Sequence, residues 1–384
     1  MSVSTWKSSV KWIEELSKEQ PHIIISGGGT GGHVFPALAI ADALREKLPN
    51  ALIHFVGAKG KLEMEKVPQA GYPITGLWIS GFDRRQMWRN VLFPVKLISS
   101  LWISYRLVRQ FKPEVAIGVG GYASGPLLAV ANRLRIPTLV QEQNAFPGVT
   151  NKLLARRVDT ICVAYEGMAR YFPADKLVLT GNPVRKAFLT QPFARSEALA
   201  HFGLQPDRKT LFVFGGSLGA RRLNESIATQ MEQLRKRQDV QLLWQVGKLY
   251  HDEYQQHAIH QLPNVRLLPF VDRMDLAYGL ADLVVCRAGA LTLSELSLLG
   301  KPALLVPSPN VAEDHQTKNA RALVEAGAAE MISDAEAPEQ LLPRALALIQ
   351  QTERLATMGQ KIKEKAQPEA AGHIANEVLA LLPK

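Results

Sequence analysis

Two glycine-rich segments share one pattern, and they restrict the fold of this chain more than any other feature. Residues 26–33, SGGGTGGH, align without a gap with residues 214–221, FGGSLGAR, and three glycines coincide. Each segment follows an apolar run and opens a helical pattern, as at the first turn of a nucleotide-binding βαβ unit. The chain therefore predicts two Rossmann-like units, the second of which starts near residue 210.

The rest of the chain repeats the same alternation. Continuous apolar runs without polar alternation are typical of strands buried in a parallel sheet, and helices between them indicate doubly wound α/β domains. Ligands of such sheets bind beyond the carboxyl ends of the strands, so we expect two such ends to face one cleft. The predicted strands are HIIIS, ALIHFV, VAIGVG, PTLVQEQ, TICVA, LVLTGNP, TLFVFGG, LLWQVG, VRLLPF, LVVCRAG, PALLVP and EMIS.

A length of 384 residues suits two domains. Proline interrupts the pattern at Pro183, so we place a first domain at residues 21–183 and a second at 184–367. Residues 1–20 lack the apolar core and cleavage site of a secretory signal. They read either as a poorly ordered extension or as a membrane-surface helix.

Composition limits the partners. The formal net charge is +10, which suits a phosphate ligand, a nucleic acid or an anionic membrane surface without choosing among them. The two cysteines, Cys162 and Cys286, lie in separate apolar runs. A disulfide framework or a zinc site is therefore not expected, and a reducing cytoplasm fits.

The first glycine loop predicts a phosphate site, because glycines admit a phosphate close to backbone N–H groups at a helix N-terminus. NAD needs an acidic residue at the end of the second strand, but ALIHFV is followed by GAKGK. This argues against NAD, while a 2′-phosphate contact through Lys59 or Lys61 stays open. His33 ends the loop and is either a general base beside the phosphate or a capping residue.

Further segments repeat this chemistry at other predicted strand ends. Loop amides, helix N-termini and arginines bind anions, and a helix glutamate accepts hydrogen bonds from ribose hydroxyls. Each segment also has a purely structural reading as a tight turn or a solvated helix start. They are GVGGYASGP at 118–126, GGSLGARRLNES at 215–226, CRAGALTLSELSLLGKP at 286–302 and EDHQTKNA at 313–320. The chain has no Asp-x-Asp pair, so amides and arginines rather than a metal are expected to stabilise a diphosphate.

A basic and aromatic stretch at residues 78–112 predicts a membrane contact. Aromatic rings lie at headgroup depth and cations meet anionic lipid. Single-stranded nucleic acid and an ordinary amphipathic helix pair are the alternatives, and the chain carries no known nucleic-acid module. The residues are Trp88, Phe93, Trp102, Arg84, Arg85 and Arg89. No transmembrane span is expected, because the longest uncharged run, 115–132, is interrupted by glycines and Pro126.

Seven ordered motifs together resemble the MurG family of N-acetylglucosamine transferases, from about residue 21 to residue 380. They are GGGTGGHVFPALAIA, GGYASGP, QEQNAFPGVTNK, GNPVR, GGSLGA, CRAGALTLSE and DHQTKNARAL. The resemblance implies a GT-B fold in which the C-terminal helix, about 368–384, returns to the first domain. It implies inverting, metal-independent transfer of GlcNAc from UDP-GlcNAc to the C4 hydroxyl of lipid I, the undecaprenyl-diphosphate-linked MurNAc-pentapeptide. The product is lipid II for peptidoglycan, made at the cytoplasmic face of the inner membrane by a peripheral enzyme without a cofactor.

The resemblance also implies roles for single residues. His33 resembles the general base, and Glu142 is a second candidate. The positions that resemble UDP-GlcNAc contacts are Thr30, Gly31, Gly32, Asn144, Arg185, Ser217, Val271, Ala290, Leu291, Thr292, Leu293, Ser294, Glu295 and Gln316. Those that resemble a cradle for the acceptor diphosphate are Gly28, Gly29, Gly121, Tyr122 and Ser124. A UDP-GlcNAc 2-epimerase and a non-catalytic sugar-nucleotide-binding subunit remain as alternative functions.

Overall fold

The computed structural model describes residues 20–81, 87–184, 194–311 and 314–383. They divide into two compact units. The first comprises the described residues within Met1–Pro183 and Glu369–Lys384, and the second comprises those within Val184–Pro368. The predicted N-terminal extension, apart from Gln20, lies outside the described residues.

The first unit is a seven-stranded parallel sheet in the order β3-β2-β1-β4-β5-β6-β7. Its strands are β1 His22–Ser26, β2 Leu52–Ala58, β3 Ile74–Leu77, β4 Val115–Gly118, β5 Thr138–Glu142, β6 Thr160–Val163 and β7 Leu177–Leu179. Its helices are α1 Gly31–Lys47, α2 Glu63–Gln69, α3 Phe93–Phe111, α4 Ser124–Arg133 and α5 Val149–Leu154, with the C-terminal α15 Ala370–Leu381. A short 3-10 helix, Met87–Asn90, precedes α3.

Both faces of this sheet are covered, which explains the unbroken apolar strands. Ile23 and Ile25 of β1 pack into one core with α1 and α15, while Ile24 packs into the other with α3 and α4. All three side chains are fully buried. Successive residues of a strand point to opposite faces, so a strand between two helix layers needs apolar residues at every position.

The second unit is a six-stranded parallel sheet in the order β10-β9-β8-β11-β12-β13. Its strands are β8 Lys209–Phe214, β9 Val240–Gln245, β10 Val265–Leu268, β11 Leu283–Cys286, β12 Ala303–Leu305 and β13 Glu330–Met331. Its helices are α6 Arg195–Phe202, α7 Arg221–Ala228, α8 Met231–Lys236, α9 His251–Gln255, α10 Met274–Leu280, α11 Ala290–Leu299, α12 His315–Glu325, α13 Ala337–Leu348 and α14 Thr352–Lys363.

The predicted α/β class and two doubly wound sheets are confirmed. Every strand predicted from an apolar run is present, but β3 was not predicted. Its sequence, ITGL, contains Thr75 and Gly76, and it lies at the edge of the sheet. Three of its four residues are only partly buried, so its sequence carries no continuous apolar run.

The strand order reverses once in each sheet, between β1 and β4 and between β8 and β11. At these points the loops after the two neighbouring strands leave in opposite directions and open a crevice. The two glycine-rich segments follow β1 and β8, so each lies at the reversal of its own sheet.

None of the described helices is long and apolar enough to cross a bilayer.

Candidate active site

The glycine loops after β1 and β4 lie in direct backbone contact at the reversal of the first sheet. Gly121 has φ +89°, and a Cβ there would lie 2.2 Å from the carbonyl oxygen of Gly28. The ring of Tyr122 lies within 3.6 Å of the position of a Cβ on Gly29. The structure therefore brings the predicted acceptor-diphosphate residues Gly28, Gly29, Gly121 and Tyr122 together.

Ser124 is the exception among that group. It is fully buried, and its hydroxyl oxygen lies 2.8 Å from the carbonyl oxygen of Gly120 and 3.0 Å from that of Ser26, so its single proton is donated to one or shared between them. Its hydroxyl thus braces the two loops against each other. A direct contact between Ser124 and a diphosphate stays a prediction.

His33 lies between the same two loops, in the first turn of α1. Its Nδ1 is 3.2 Å from the Thr30 hydroxyl, and its ring lies where a Cβ on Gly120 would fall 2.6 Å from Cδ2. Burial lowers the pKa of His33 from 6.5 to about 4, against the opposing effect of a hydrogen bond with the Gly28 backbone. The imidazole is therefore neutral at physiological pH and able to accept a proton.

A buried carboxylate that the sequence reasoning missed holds the first glycine loop. Glu63, the first residue of α2, is fully buried. Its carboxylate accepts hydrogen bonds from the N–H of Gly29 at 2.9 Å and from the N–H of Ala58 at 2.8 Å. A Cβ on Gly28 would lie 2.2 Å from Glu63 Oε1.

Glu63 also refines the argument against NAD. An acidic residue does follow β2, but its side chain is turned inward and bonds to backbone amides rather than being presented to a ribose. The sequence signals this role of Glu63 only weakly. Glu63 lies five residues beyond Ala58, and a glycine stands at position 57, where a Cβ would lie 2.4 Å from Glu63 Cγ.

Glu142, at the end of β5, organises the loop that follows it. Its carboxylate accepts hydrogen bonds from the N–H and side-chain amide of Asn144 at 3.0 and 3.1 Å, and from the Gly148 N–H and the Asn151 amide at 2.9 Å each. Two carboxylate oxygens offer about four lone-pair sites. This engagement favours a loop-organising role over proton abstraction, and it fixes the position of Asn144.

In the second unit, the loop after β8 is bound to the end of β9. A Cβ on Gly219, at φ +80°, would lie 2.1 Å from the carbonyl oxygen of Val246. The buried Gln245 side chain donates to the carbonyl of Gly216 at 2.9 Å and accepts from the N–H of Val271 at 2.8 Å. Gln245, which sequence reasoning missed, thus ties the predicted contacts Ser217 and Val271 to one edge.

The segment after β11 provides the N-terminus of α11 at the same edge. Gly289 is the N-cap, in extended conformation, and Ala290 to Glu295 form the first turns. Among these predicted donor contacts, Ala290, Leu293 and Glu295 are buried, while Leu291, Thr292 and Ser294 are partly exposed.

Helix α12 contributes Gln316, whose Oε1 accepts from the N–H of Ser308 at 2.9 Å. One turn later, Asn319 is buried, and neither atom of its amide has a hydrogen-bond partner among the described residues.

Two sets of predicted residues are not fully described. Arg185, Arg84 and Arg85 lie outside the described residues, and so does the side chain of Arg89. Within the described residues, no group of three or more His, Cys, Asp or Glu side chains is arranged to hold a metal ion.

Comparison with known proteins accounts for both units. Residues 23–163 match the glycosyltransferase family 28 N-terminal domain, and residues 210–374 match the glycosyltransferase family 28 C-terminal domain. A UDP-N-acetylglucosamine–N-acetylmuramyl-(pentapeptide) pyrophosphoryl-undecaprenol N-acetylglucosamine transferase of Bacteroides fragilis is 51% identical over 94% of this chain and 95% of its own. The chain belongs to this family of transferases. The relative of the same name in Cytophaga hutchinsonii is 50% identical over 96% of this chain and 99% of its own.

Solved structures agree with this membership. The MurG structure of Acinetobacter baumannii superposes with a TM-score of 0.68 at 28% identity, covering 94% of this chain and 99% of that one. A UDP-GlcNAc 2-epimerase of Neisseria meningitidis reaches the same TM-score of 0.68 at 14% identity, covering 94% of this chain and 100% of that one. The second likeness shows the fold alone. The predicted GT-B fold and glycosyltransferase class are confirmed.

Replacing Glu63 with alanine should destabilise the first unit, because two backbone N–H groups lose their acceptor. We expect a loss on the order of 2 kcal/mol in the free energy of unfolding, measured by urea denaturation. The control is Glu65→Ala on the same helix, which removes a half-exposed carboxylate paired with Lys66 and should change stability by less than about 0.5 kcal/mol. Equal stability of the two variants would contradict the role of Glu63.

Proposed function

We propose that this chain transfers N-acetylglucosamine from UDP-N-acetylglucosamine to the C4 hydroxyl of the muramyl sugar of lipid I, which forms lipid II. The reaction is a single displacement with inversion at the anomeric carbon and no metal ion. The observation that carries the proposal is the near-complete, 51% identical match to a transferase of that name. Both glycine loops and the Ala290–Glu295 helix start support it.

On the acceptor side, His33 takes the proton. As the C4 oxygen forms its bond to the anomeric carbon, its proton passes to the neutral imidazole, and the bond from the anomeric carbon to the UDP oxygen breaks. The low pKa of His33, about 4, keeps the ring unprotonated. Its contacts with Thr30 and Gly120 hold the ring in one orientation, which a general base requires.

On the donor side, backbone groups stabilise the departing UDP. The N-terminus of α11 and the glycine loop before α7 present N–H groups and partial positive charge to a diphosphate. Gln245 and the backbone contact between Gly219 and Val246 fix that loop in advance. A rigid set of donors needs no reorganisation as charge develops in the transition state.

The decisive experiment is transfer of labelled GlcNAc from UDP-GlcNAc to a lipid I analogue. We expect labelled lipid product with and without a chelator, and a loss of about a hundredfold or more in kcat for His33→Ala. Donor incubated alone should give no UDP-ManNAc. Formation of UDP-ManNAc favours the epimerase, and donor binding without lipid labelling favours the non-catalytic subunit. Loss of activity with chelator contradicts the metal-free mechanism.

The pH dependence of kcat/KM tests His33 as the base. A base with a pKa of about 4 stays unprotonated on acidification, so the profile should be level from pH 8 to about pH 5.5. An inflection near the ordinary value of 6.5 that disappears in His33→Ala would contradict the desolvated ring.

Unfolding has to be excluded at the acid end of that profile. Burial lowers the pKa of His54 to about 4 as well. The unfolded chain therefore takes up protons at higher pH than the folded one, and stability falls as pH falls from 6.5 towards 4. Circular dichroism at each pH identifies the range in which the fold is intact.

The same proposal includes peripheral attachment to an anionic membrane surface. The 3-10 helix, the two-residue turn after it and α3 expose apolar side chains at helical spacing. Soluble proteins rarely leave a large apolar patch uncovered. The side chains, with their exposed fractions, are Trp88 71%, Val91 75%, Leu92 52%, Val95 53%, Ile98 67%, Trp102 58% and Tyr105 47%. The guanidinium of Arg106 lies 4.9 Å from the Trp102 ring centroid. Trp88 and Trp102 were predicted from the sequence and the aliphatic members were not, while the predicted Phe93 is partly buried.

Substituting Ile98 and Trp102 together with serine should weaken binding to phosphatidylglycerol vesicles by about tenfold or more, since each buried side chain of this size contributes about 1.5–3 kcal/mol. Vesicle sedimentation measures the effect. The matched control is Leu249→Ser, which removes an apolar side chain 74% exposed on the second unit and should bind as the wild type does. Equal binding of both variants would contradict the assignment of these apolar side chains.

A further inference from the structure

Tyr278 is a buried aromatic residue whose hydroxyl the proposed chemistry does not use. It lies on α10 and is fully buried. Its ring meets those of Phe212 and Phe214 edge-on, with centroids 5.8 and 6.0 Å apart. Both phenylalanines belong to β8, so the strand fixes the plane of the tyrosine ring.

The hydroxyl of Tyr278 donates to Oε2 of Glu295 at 2.9 Å. Glu295 is 6% exposed on α11, and a hydrogen bond to an ionised carboxylate is stronger than a neutral one. Helix α11 follows β11, one of the two strands between which the order of the second sheet reverses. Glu295 is the sixth residue of that helix.

We propose that Tyr278 is a positioning residue for the nucleotide ribose, acting through Glu295. The inference rests on the proposed function and on the predicted role of Glu295, which is to accept hydrogen bonds from the ribose hydroxyls. A glutamate side chain has three rotatable bonds, and freezing them before the nucleotide binds reduces the ordering cost of binding. The hydrogen bond from Tyr278 holds one oxygen of the Glu295 carboxylate in place before the nucleotide binds. It therefore sets the direction in which the carboxylate faces the ribose.

A purely structural role makes a different prediction. If the hydroxyl only satisfied a buried carboxylate, its removal would lower stability and affect all donors equally. If it aims the carboxylate, its removal affects a donor only as far as that donor has ribose hydroxyls to offer. The readout is therefore the ratio of kcat/KM for UDP-GlcNAc to that for its 2′-deoxy and 3′-deoxy uridine analogues.

Tyr278→Phe keeps the ring and removes only the hydroxyl. We expect the KM for UDP-GlcNAc to rise about tenfold, which corresponds to about 1.4 kcal/mol, with kcat within about twofold of wild type. The preference for the ribose donor over each deoxy donor should fall by a similar factor. An equal loss for ribose and deoxy donors, or an unchanged preference, overturns the inference.

Two further variants separate this inference from the proposed function. Glu295→Ala should abolish the ribose preference, and if it does not, the proposed donor site is wrong. If Glu295→Ala abolishes the preference while Tyr278→Phe retains it fully, the inference alone fails. The matched control is Tyr254→Phe, a tyrosine 3% exposed in the same unit with its ring 5.1 Å from that of Trp244. It should leave both KM and the ribose preference unchanged, and a fall in preference there would equally overturn the assignment to Tyr278.

Discussion

The parallel direction of the strands is the constraint on which the rest of the structure depends. In a parallel sheet every strand ends at the same edge, so all strand-to-helix turns of one unit meet there. The loops must then approach one another more closely than side chains permit. Gly121 against Gly28, and Gly219 against Val246, are the positions where this approach reaches backbone contact. The close packing of the loops therefore requires glycine at these positions. The backbone N–H groups that glycine leaves uncovered are also the groups that a phosphate binds.

Buried polar side chains hold these edges in shape. Glu63, Glu142 and Gln245 each bond to backbone N–H or C=O groups of a loop that carries predicted ligand contacts. An unpaired polar group in such a place is costly, so each brace must match its loop closely. The predicted ligand contacts lie on loops and helix starts, and these buried side chains fix the loops in position.

The sequence predicts the class of fold well because buried parallel strands leave a direct trace in composition. The fully apolar β1 is an example, whereas the edge strand β3, with Thr75 and Gly76, leaves none. The glycine loops were predictable because their glycines cluster directly after such an apolar run. Glu63, Gln245 and Tyr278 were not, because each acts on a partner distant along the chain, and a glutamate at a helix start looks the same whether it faces solvent or a loop. Ser124 was predicted as a ligand contact from its place in a glycine loop, and the sequence does not show that its hydroxyl lies between two backbone carbonyl oxygens.

The C-terminal helix has a consequence for how the protein is made. In α15, Ile374, Ala375 and Val378 complete the core that α1 shares with β1, although about 195 residues separate Pro183 from Val378. At a synthesis rate of roughly 5–20 residues per second, the ribosome needs roughly 10–40 s to cover that distance. During this interval the apolar face of α1 is not yet covered by α15. The first unit thus begins to fold first but is completed only when α15 has been synthesised. Until then, the apolar surface that α15 will cover is exposed to contacts with other molecules.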